Sequence, residues 1–427
     1  MEYLASPKME GRRTGEKGAK AAADYIAGEF ARFRLKGVVQ NSNGRNGYLQ
    51  TFPHSPQAAN GHAANPHVGS ESTEKIIDSR KPGFGYNVIG VLEGRDPVLK
   101  SEAIVIGAHY DHLGRGGQAS LAAESAQIHH GADDNASGTA AVIELAREFA
   151  KEKKNKRTLI LILFSGEEDG LLGSRHYVNN PVWPIEKTVA MINLDMVGRL
   201  KDKKLNVGGI GTAGEWKNTV ESNNAPRIVH VPTNTPGGGP AHMAERLSLF
   251  SLVLNEDGFG PSDHSSFYAK NVPVLFFFSG THEDYHKPSD TFDKINYDGL
   301  HRITNYVSQI VRSIDQDPFK PTYTVAKSSG TMGRSMRFNV SLGTIPTYGD
   351  STDGVVLDGV RADSPAAKAG IKAGDKIVRL AGKAVRNVMD YTAALAEMTA
   401  GQEYEVELMR AAEKLILKIV PAPAARR

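Results

Sequence analysis

The chain has 427 residues, of which 40% are hydrophobic and 23% charged, and it contains no cysteine. These proportions are typical of folded domains and exclude wholesale disorder and a coiled coil, while the lack of cysteine excludes disulfides, thiolate metal sites and a cysteine nucleophile. The 51 Lys and Arg residues nearly balance the 48 Asp and Glu residues, so nucleic-acid binding is not favoured. No apolar run approaches about 18 residues, so no membrane span is predicted.

The pattern up to residue 318 predicts an α/β domain with a mixed, largely parallel central sheet flanked by helices. Apolar residues at helical spacing predict helices over Thr14–Leu35, Ser137–Lys153 and Tyr297–Ile314. Short apolar runs predict buried strands at Asn87–Leu92, Ala103–Ala108, Leu159–Phe164, Ala190–Leu194 and Val274–Phe278. Buried strands that alternate with helices are typical of such a sheet.

Three segments lack this regular pattern. Residues 54–85 are rich in Pro, Gly, Asn, His and Ser, and they predict a surface loop or small lobe. Residues 208–260 contain Gly- and Pro-rich stretches that predict a possible cap over a cleft. Residues 319–333 predict a linker between two domains.

Short alternating strands after the linker predict a small, mostly β domain over residues 334–421, with one helical stretch at Val388–Met398. This domain resembles a PDZ domain. Residues 341–345 stand in the place of the carboxylate-binding loop, and SPAAKAGIKAGDKI at 364–377 matches the internal helix and turn. The resemblance implies a module that could bind a peptide C-terminus or an extended segment.

Potential metal ligands follow the predicted strands of the first domain, in an order that is unlikely to arise by accident. Carboxyl ends of parallel strands meet at one edge of a sheet, so these side chains are expected to lie close together. Each has a simpler interpretation when taken alone, such as a helix cap or a solvated loop. Together they indicate ligands for two divalent ions bridged by a carboxylate. The residues are His109, Asp111, Asp133, Asp134, Glu167, Glu168, Asp195, His282, Tyr285, His286 and Asp290.

The ordered motifs HYDH, GADDNASG, FSGEE, NLDM, SDHSSF and YHKPSDT resemble the zinc aminopeptidases of metallopeptidase family 28, over about residues 1–320. This resemblance implies residues 1–318 as a dizinc peptidase domain with two Zn²⁺ ions per chain. It implies five ligands, with His109 and Asp195 on one ion, Glu168 and His286 on the other, and Asp134 bridging both. It also implies three catalytic roles: Glu167 as general base, Asp111 as the partner of His109, and Tyr285 as a donor to the oxyanion.

We therefore expect a dizinc metallo-exopeptidase that removes residues from peptide or protein N-termini. A glutaminyl cyclase or a carboxypeptidase relative on the same fold remains an alternative within enzymes, although cyclases work with one zinc. A non-catalytic binding protein is the alternative from another class. The sequence lacks the G-x-S-x-G and H-E-x-x-H motifs of serine hydrolases and zincins. The family resemblance favours a secreted or periplasmic location, with a signal peptide already removed.

Overall fold

A computed structural model of the chain describes residues 1–40, 44–54, 83–116, 120, 122, 127–225, 227–233, 241–326, 340–346, 353–360, 364–386, 388–411 and 413–423. Most of the expected loop at 54–85 lies outside these residues, as do 234–240 of the expected cap, 327–333 of the expected linker and 334–339 of the expected second domain. The chain divides into two compact units. The larger contains most of the chain up to Ser328, and the smaller contains Ser329–Arg427 with two short upstream segments, Phe52–Gly85 and Glu168–Leu171.

One central sheet of eight strands organises the chain before residue 280. The strands of this part of the chain are β1 (Val39–Gln40), β2 (Asn46–Gly47), β3 (Leu49–His54), β4 (Gly83–Leu92), β5 (Ala103–His109), β6 (Thr158–Phe164), β7 (Thr188–Leu194), β8 (Lys204–Gly208), β9 (Arg227–Thr233), β10 (Ala241–Leu247), β11 (Ser251–Leu254) and β12 (Val274–Phe278). The order of strands in the central sheet is β11-β8-β12-β7-β5-β6-β4-β3. Strands β5, β6, β7 and β12 run parallel, whereas β4 and β8 pair antiparallel with β6 and β12.

Helices cover both faces of this sheet. The helices are α1 (Lys17–Arg32), α2 (Gly138–Glu152), α3 (Leu172–Asn179), α4 (Trp216–Asn223), α5 (His264–Tyr268) and α6 (Tyr297–Gln316). Alternate residues of the buried strands enter different cores: Leu161 of β6 packs in the cluster that contains residues of α1, α2 and α6, and Ile162 packs with residues of α3 and α5. Two-sided burial explains why these strands are continuous apolar runs, and the expected mixed α/β fold is confirmed. Among the described residues, no helix has the length and apolar character that a membrane crossing requires.

The segment after α6 stays bonded to the larger unit. Tyr323 forms a β-bridge with Ala213, and the amide of Thr324 donates to the carbonyl of Thr212 at 2.9 Å. The amide of Ala326 donates to the Tyr268 hydroxyl at 2.8 Å. The first part of the expected linker is therefore anchored in this unit.

The carboxyl-terminal residues form a small, mostly antiparallel β domain, as expected. Its elements are β13 (Val340–Ser341), β14 (Thr344–Pro346), β15 (Val355–Val360), α7 (Pro365–Lys368), β16 (Lys376–Leu380), β17 (Lys383–Ala384), α8 (Val388–Glu397), β18 (Tyr404–Arg410), β19 (Glu413–Ile419) and β20 (Ala422–Pro423). The main sheet has the order β14-β15-β16-β18-β19, with β17 paired to β16. A separate core, which includes Ile377, Tyr391 and Val406, stabilises the domain.

Candidate active site

The predicted ligands lie where parallel strands end. His109 is the last residue of β5, Asp195 directly follows β7, and Glu167 comes three residues after β6. Asp134 lies in the segment before α2, where its backbone (φ −103°, ψ 94°) departs from helical geometry. This segment needs Gly131, because a Cβ there would lie 2.2 Å from the Asp134 carbonyl oxygen.

His109 faces carboxylates from three different segments. Its Nε2 atom lies 3.2 Å from Asp195 Oδ1 and 3.4 Å from Asp134 Oδ1. His109, Glu167 and Asp195 each place one ligand atom in a common cluster, and these three atoms lie within 4.8 Å of one another. Ser262 donates to the second oxygen of Asp195 at 2.7 Å, which leaves Oδ1 directed at the histidine. Glu167, expected as the base, thus lies beside two expected ligands.

The second oxygen of Asp134 faces two further histidines. Asp134 Oδ2 lies 3.2 Å from His286 Nε2 and 3.7 Å from His112 Nδ1. Ligand atoms of His112, Asp134 and Glu168 also lie within 4.8 Å of one another. His112 was not among the residues selected from sequence, although it ends the HYDH motif. A second histidine three positions after a strand-end histidine was the signal that could have identified it.

Asp111 and Tyr285 lie next to the histidines rather than within either group. The Asp111 carbonyl oxygen is 3.3 Å from His109 Nδ1, closer than the nearest carboxylate oxygen of Asp111 at 3.7 Å. The Tyr285 ring stacks on the His286 ring with centroids 3.9 Å apart. His109 Nδ1 is therefore oriented by the backbone of Asp111 at least as much as by its side chain, which leaves Nε2 available to a metal.

A buried carboxylate, Asp290, fixes the segment that carries Asp134. Its Oδ2 atom accepts from the amides of Asp133 and Asp134 at 2.8 and 3.1 Å. Its Oδ1 atom pairs with Arg199 at 3.2 Å, and Arg199 also pairs with Asp284 at 3.2 Å. These bonds hold the Asp134 segment and the loop that contains His286 in a fixed relation.

Two further polar pairs lie in or directly before the motifs: Asp263 and His264 in SDHSSF, and His129 and His130 before GADDNASG. His264 stacks on Phe276 at 4.5 Å, and burial lowers its pKa to about 3. Burial raises the pKa of its neighbour Asp263 to about 7. His129 contacts Ser120 at 2.7 Å, and His130 contacts the carbonyl of Ala5 at 2.9 Å. His129 and His130 therefore contact loop residues.

The electrostatics of the cluster favour a positive charge at its centre. Burial opposes protonation of His109, but the carboxylates of Asp195 and Glu167 raise its pKa well above the usual value. Burial also opposes ionisation of Asp134, but hydrogen bonds from His109 and His286 hold its pKa well below the usual value. A divalent cation satisfies the same carboxylates without a proton, and imidazole nitrogen with carboxylate oxygen is a donor set that zinc accepts. The residues present fit divalent metal ions.

Comparison with known proteins identifies two domains. The model of peptidase family M28 matches residues 87–311, and the model of the PDZ domain matches residues 330–420. Aminopeptidase YwaD of Bacillus subtilis (strain 168) is 27% identical over 242 residues, which cover 55% of this chain and 46% of YwaD. Probable leucine aminopeptidase 1 of Trichophyton verrucosum (strain HKI 0517) is 30% identical over 250 residues, which cover 56% of this chain and 60% of that protein. The chain spans about half the length of these curated relatives.

Among solved structures, BSAP, a zinc aminopeptidase from Bacillus subtilis, aligns over 73% of this chain and 92% of its own, with 20% identity and a TM-score of 0.48. The M28 match covers more than half of the chain and includes all the ligand-bearing strand ends from His109 to His286. The chain therefore belongs to peptidase family M28 and carries a PDZ domain at its carboxyl end.

Proposed function

We propose that this protein is a zinc-dependent aminopeptidase that removes N-terminal residues from peptides. The observation that carries this proposal is the position of Asp134, a buried carboxylate whose two oxygens face different histidines, His109 and His286. A carboxylate so placed can contribute one oxygen to each of two metal ions. Paired divalent ions are a recurrent arrangement in aminopeptidases.

We assign the ligands as follows. Asp134 would serve both metal sites, His109 and Asp195 would complete one site, and Glu168 and His286 would complete the other. The 3.2 Å approaches of His109 to Asp195 and of His286 to Asp134 support this assignment. His112 is an additional potential ligand beside the second site.

Zinc, when bound, supplies Lewis acidity and lowers the pKa of a water molecule towards neutrality. The protein supplies proton transfer: Glu167 takes the proton of the attacking water and returns it to the leaving amine. Tyr285 is assigned as the hydroxyl donor to the oxyanion that develops on the substrate carbonyl. The carboxylates of Glu168 and Asp195 favour a positively charged substrate α-amine, which selects free N-termini.

The proposal is tested with the full chain and two matched substrates, leucyl-p-nitroanilide and its N-acetyl derivative. We expect zinc-dependent hydrolysis of the free-amine substrate, loss of that activity with a chelator, and no hydrolysis of the acetylated one. Equal hydrolysis of both would contradict an aminopeptidase. Cyclisation of glutaminyl peptides without any hydrolysis would instead identify the cyclase alternative.

A further inference from the structure

A single hydroxyl from the amino-terminal segment connects two loops of the candidate active site. Thr14 is buried, with 1% of its surface exposed. Its Oγ1 atom lies 3.0 Å from Asp111 Oδ2 and 2.9 Å from the Ser165 hydroxyl, and it accepts from the amide of Gly166 at 2.8 Å. Asp111 is 97 residues away along the chain, and Gly166 is 152 residues away. The hydroxyl therefore joins the loop after β5 to the loop after β6.

The carboxylate of Asp111 continues this connection to the proposed base. Its Oδ2 atom accepts from Thr14, whereas its Oδ1 atom accepts from the amide of Glu167 at 3.3 Å. The backbone on both sides of the Gly166–Glu167 peptide is thus held by one network. From this backbone, the Glu167 side chain extends to a position beside His109 and Asp195.

We propose that Thr14 is a positioning residue for Glu167. Its hydroxyl fixes the backbone of Gly166 and, through Asp111, the amide of Glu167. The Glu167 carboxylate therefore keeps a fixed position relative to the metal ligands. This inference rests on the proposed function for the role of Glu167. Thr14 lies outside the segment 87–311 that matches the M28 family model, and it does not contact substrate or metal in this role.

The donor count explains why a hydroxyl is required. A threonine hydroxyl has one proton and two acceptor lone pairs. The proton satisfies the Asp111 carboxylate, which cannot donate when ionised, while the oxygen accepts from Gly166 and Ser165. Valine has the same shape but provides neither function, so it leaves a buried carboxylate oxygen and a buried amide without this partner.

The test uses Thr14→Val and Thr14→Ser in the full, zinc-loaded chain. The matched control is Thr212→Val. Thr212 is also fully buried, donates to Gly209 and accepts from Trp216, but it contacts Val274 at the start of β12, the end remote from the ligands. Four quantities are measured: zinc per chain, melting temperature, kcat and KM separately for a free-amine substrate, and deuterium exchange of the amides at 164–168.

Thr14→Val should keep its zinc, lower kcat by roughly 10- to 100-fold with KM within about twofold, and speed exchange at Gly166 and Glu167. Thr14→Ser should restore most of kcat, because it retains the hydroxyl. Thr212→Val should lower the melting temperature without these changes. Thr14→Val with unchanged kcat and unchanged exchange at 164–168, or Thr14→Val that loses zinc, would overturn the proposal.

Two further measurements distinguish a failure of this proposal from a failure of the proposed function and from a variant that does not fold. An inactive wild-type protein would refute the proposed function, whereas exchange at Gly166 and Glu167 would still decide whether Thr14 holds this loop. If Thr14→Val does not fold, Ser165→Ala removes one partner of the same hydroxyl and leaves Asp111 intact. It should loosen the same amides and lower kcat to a smaller extent, and unchanged values of both would overturn the inference.

Discussion

Replacement of Arg12 by methionine should destabilise the catalytic unit strongly. The Arg12 side chain is fully buried, and its guanidinium donates to four carbonyl oxygens. These belong to Leu4, Tyr110, His130 and Gly131, at distances from 2.5 to 2.8 Å. They come from the amino-terminal segment, the loop after β5 and the segment before Asp134, so one side chain ties together three parts of the site.

The size of the effect follows from those four bonds. Methionine fills much of the same volume but donates to none of the carbonyls, and an unsatisfied buried polar group costs about 1–3 kcal/mol. At the lower limit, four groups give about 4 kcal/mol in the free energy of unfolding. A large domain loses about 2 °C of melting temperature per kcal/mol, so we expect a decrease of about 8 °C.

Thermal unfolding monitored by circular dichroism measures this change. Arg147→Met is the control, because Arg147 lies on the exposed face of α2 and pairs with Glu144 one turn away. A surface pair of this kind contributes about 0.3–0.5 kcal/mol. Equal melting temperatures for the two variants would show that the four carbonyl contacts of Arg12 do not stabilise the unit.

Three further predictions concern the chemistry and the domains. Asp134→Ala should release both zinc ions, because a bridging ligand serves each site, and elemental analysis that still finds one full equivalent would contradict the bridge. Glu167→Gln should retain zinc and lower kcat by roughly 10²- to 10⁴-fold, whereas Glu168→Gln should lower the zinc content; identical behaviour would show that base and ligand are misassigned. Truncation after Ser328 should keep kcat/KM for a dipeptide within a few-fold, since every proposed ligand precedes the boundary, but should reduce it more for a long peptide if the PDZ domain docks substrate. Equal losses on both substrates with a lower melting temperature would indicate a stabilising domain instead.

The sequence predicted the elements of the central sheet well because two-sided burial leaves a clear pattern. The strand expected at Val274–Phe278 has those bounds in the structure, and the helix expected at Ser137–Lys153 begins at Gly138 and ends at Glu152. The first helix was expected to start at Thr14, but it starts at Lys17. Periodicity cannot separate a polar residue at a helix start from one whose hydroxyl binds a carboxylate 97 residues away.

The candidate site was predictable to the extent that its residues follow strands. Parallel strand ends converge, so the position of His109 or Asp195 in the chain is enough to place it at the site. His112 and Arg12 lie in irregular segments, where only the folded path of the backbone determines which groups meet. The orientation of His109 by the carbonyl of Asp111 was equally inaccessible, because the sequence identifies side chains and not the direction of a backbone carbonyl.

Zinc titration of the metal-free full chain shows whether two metal ions share Asp134. Bound zinc is measured by elemental analysis after each addition, together with the rate on leucyl-p-nitroanilide. We expect saturation at two zinc ions per chain, with full activity reached only when both are bound. Saturation at one zinc ion per chain with full activity would contradict a shared pair of ions.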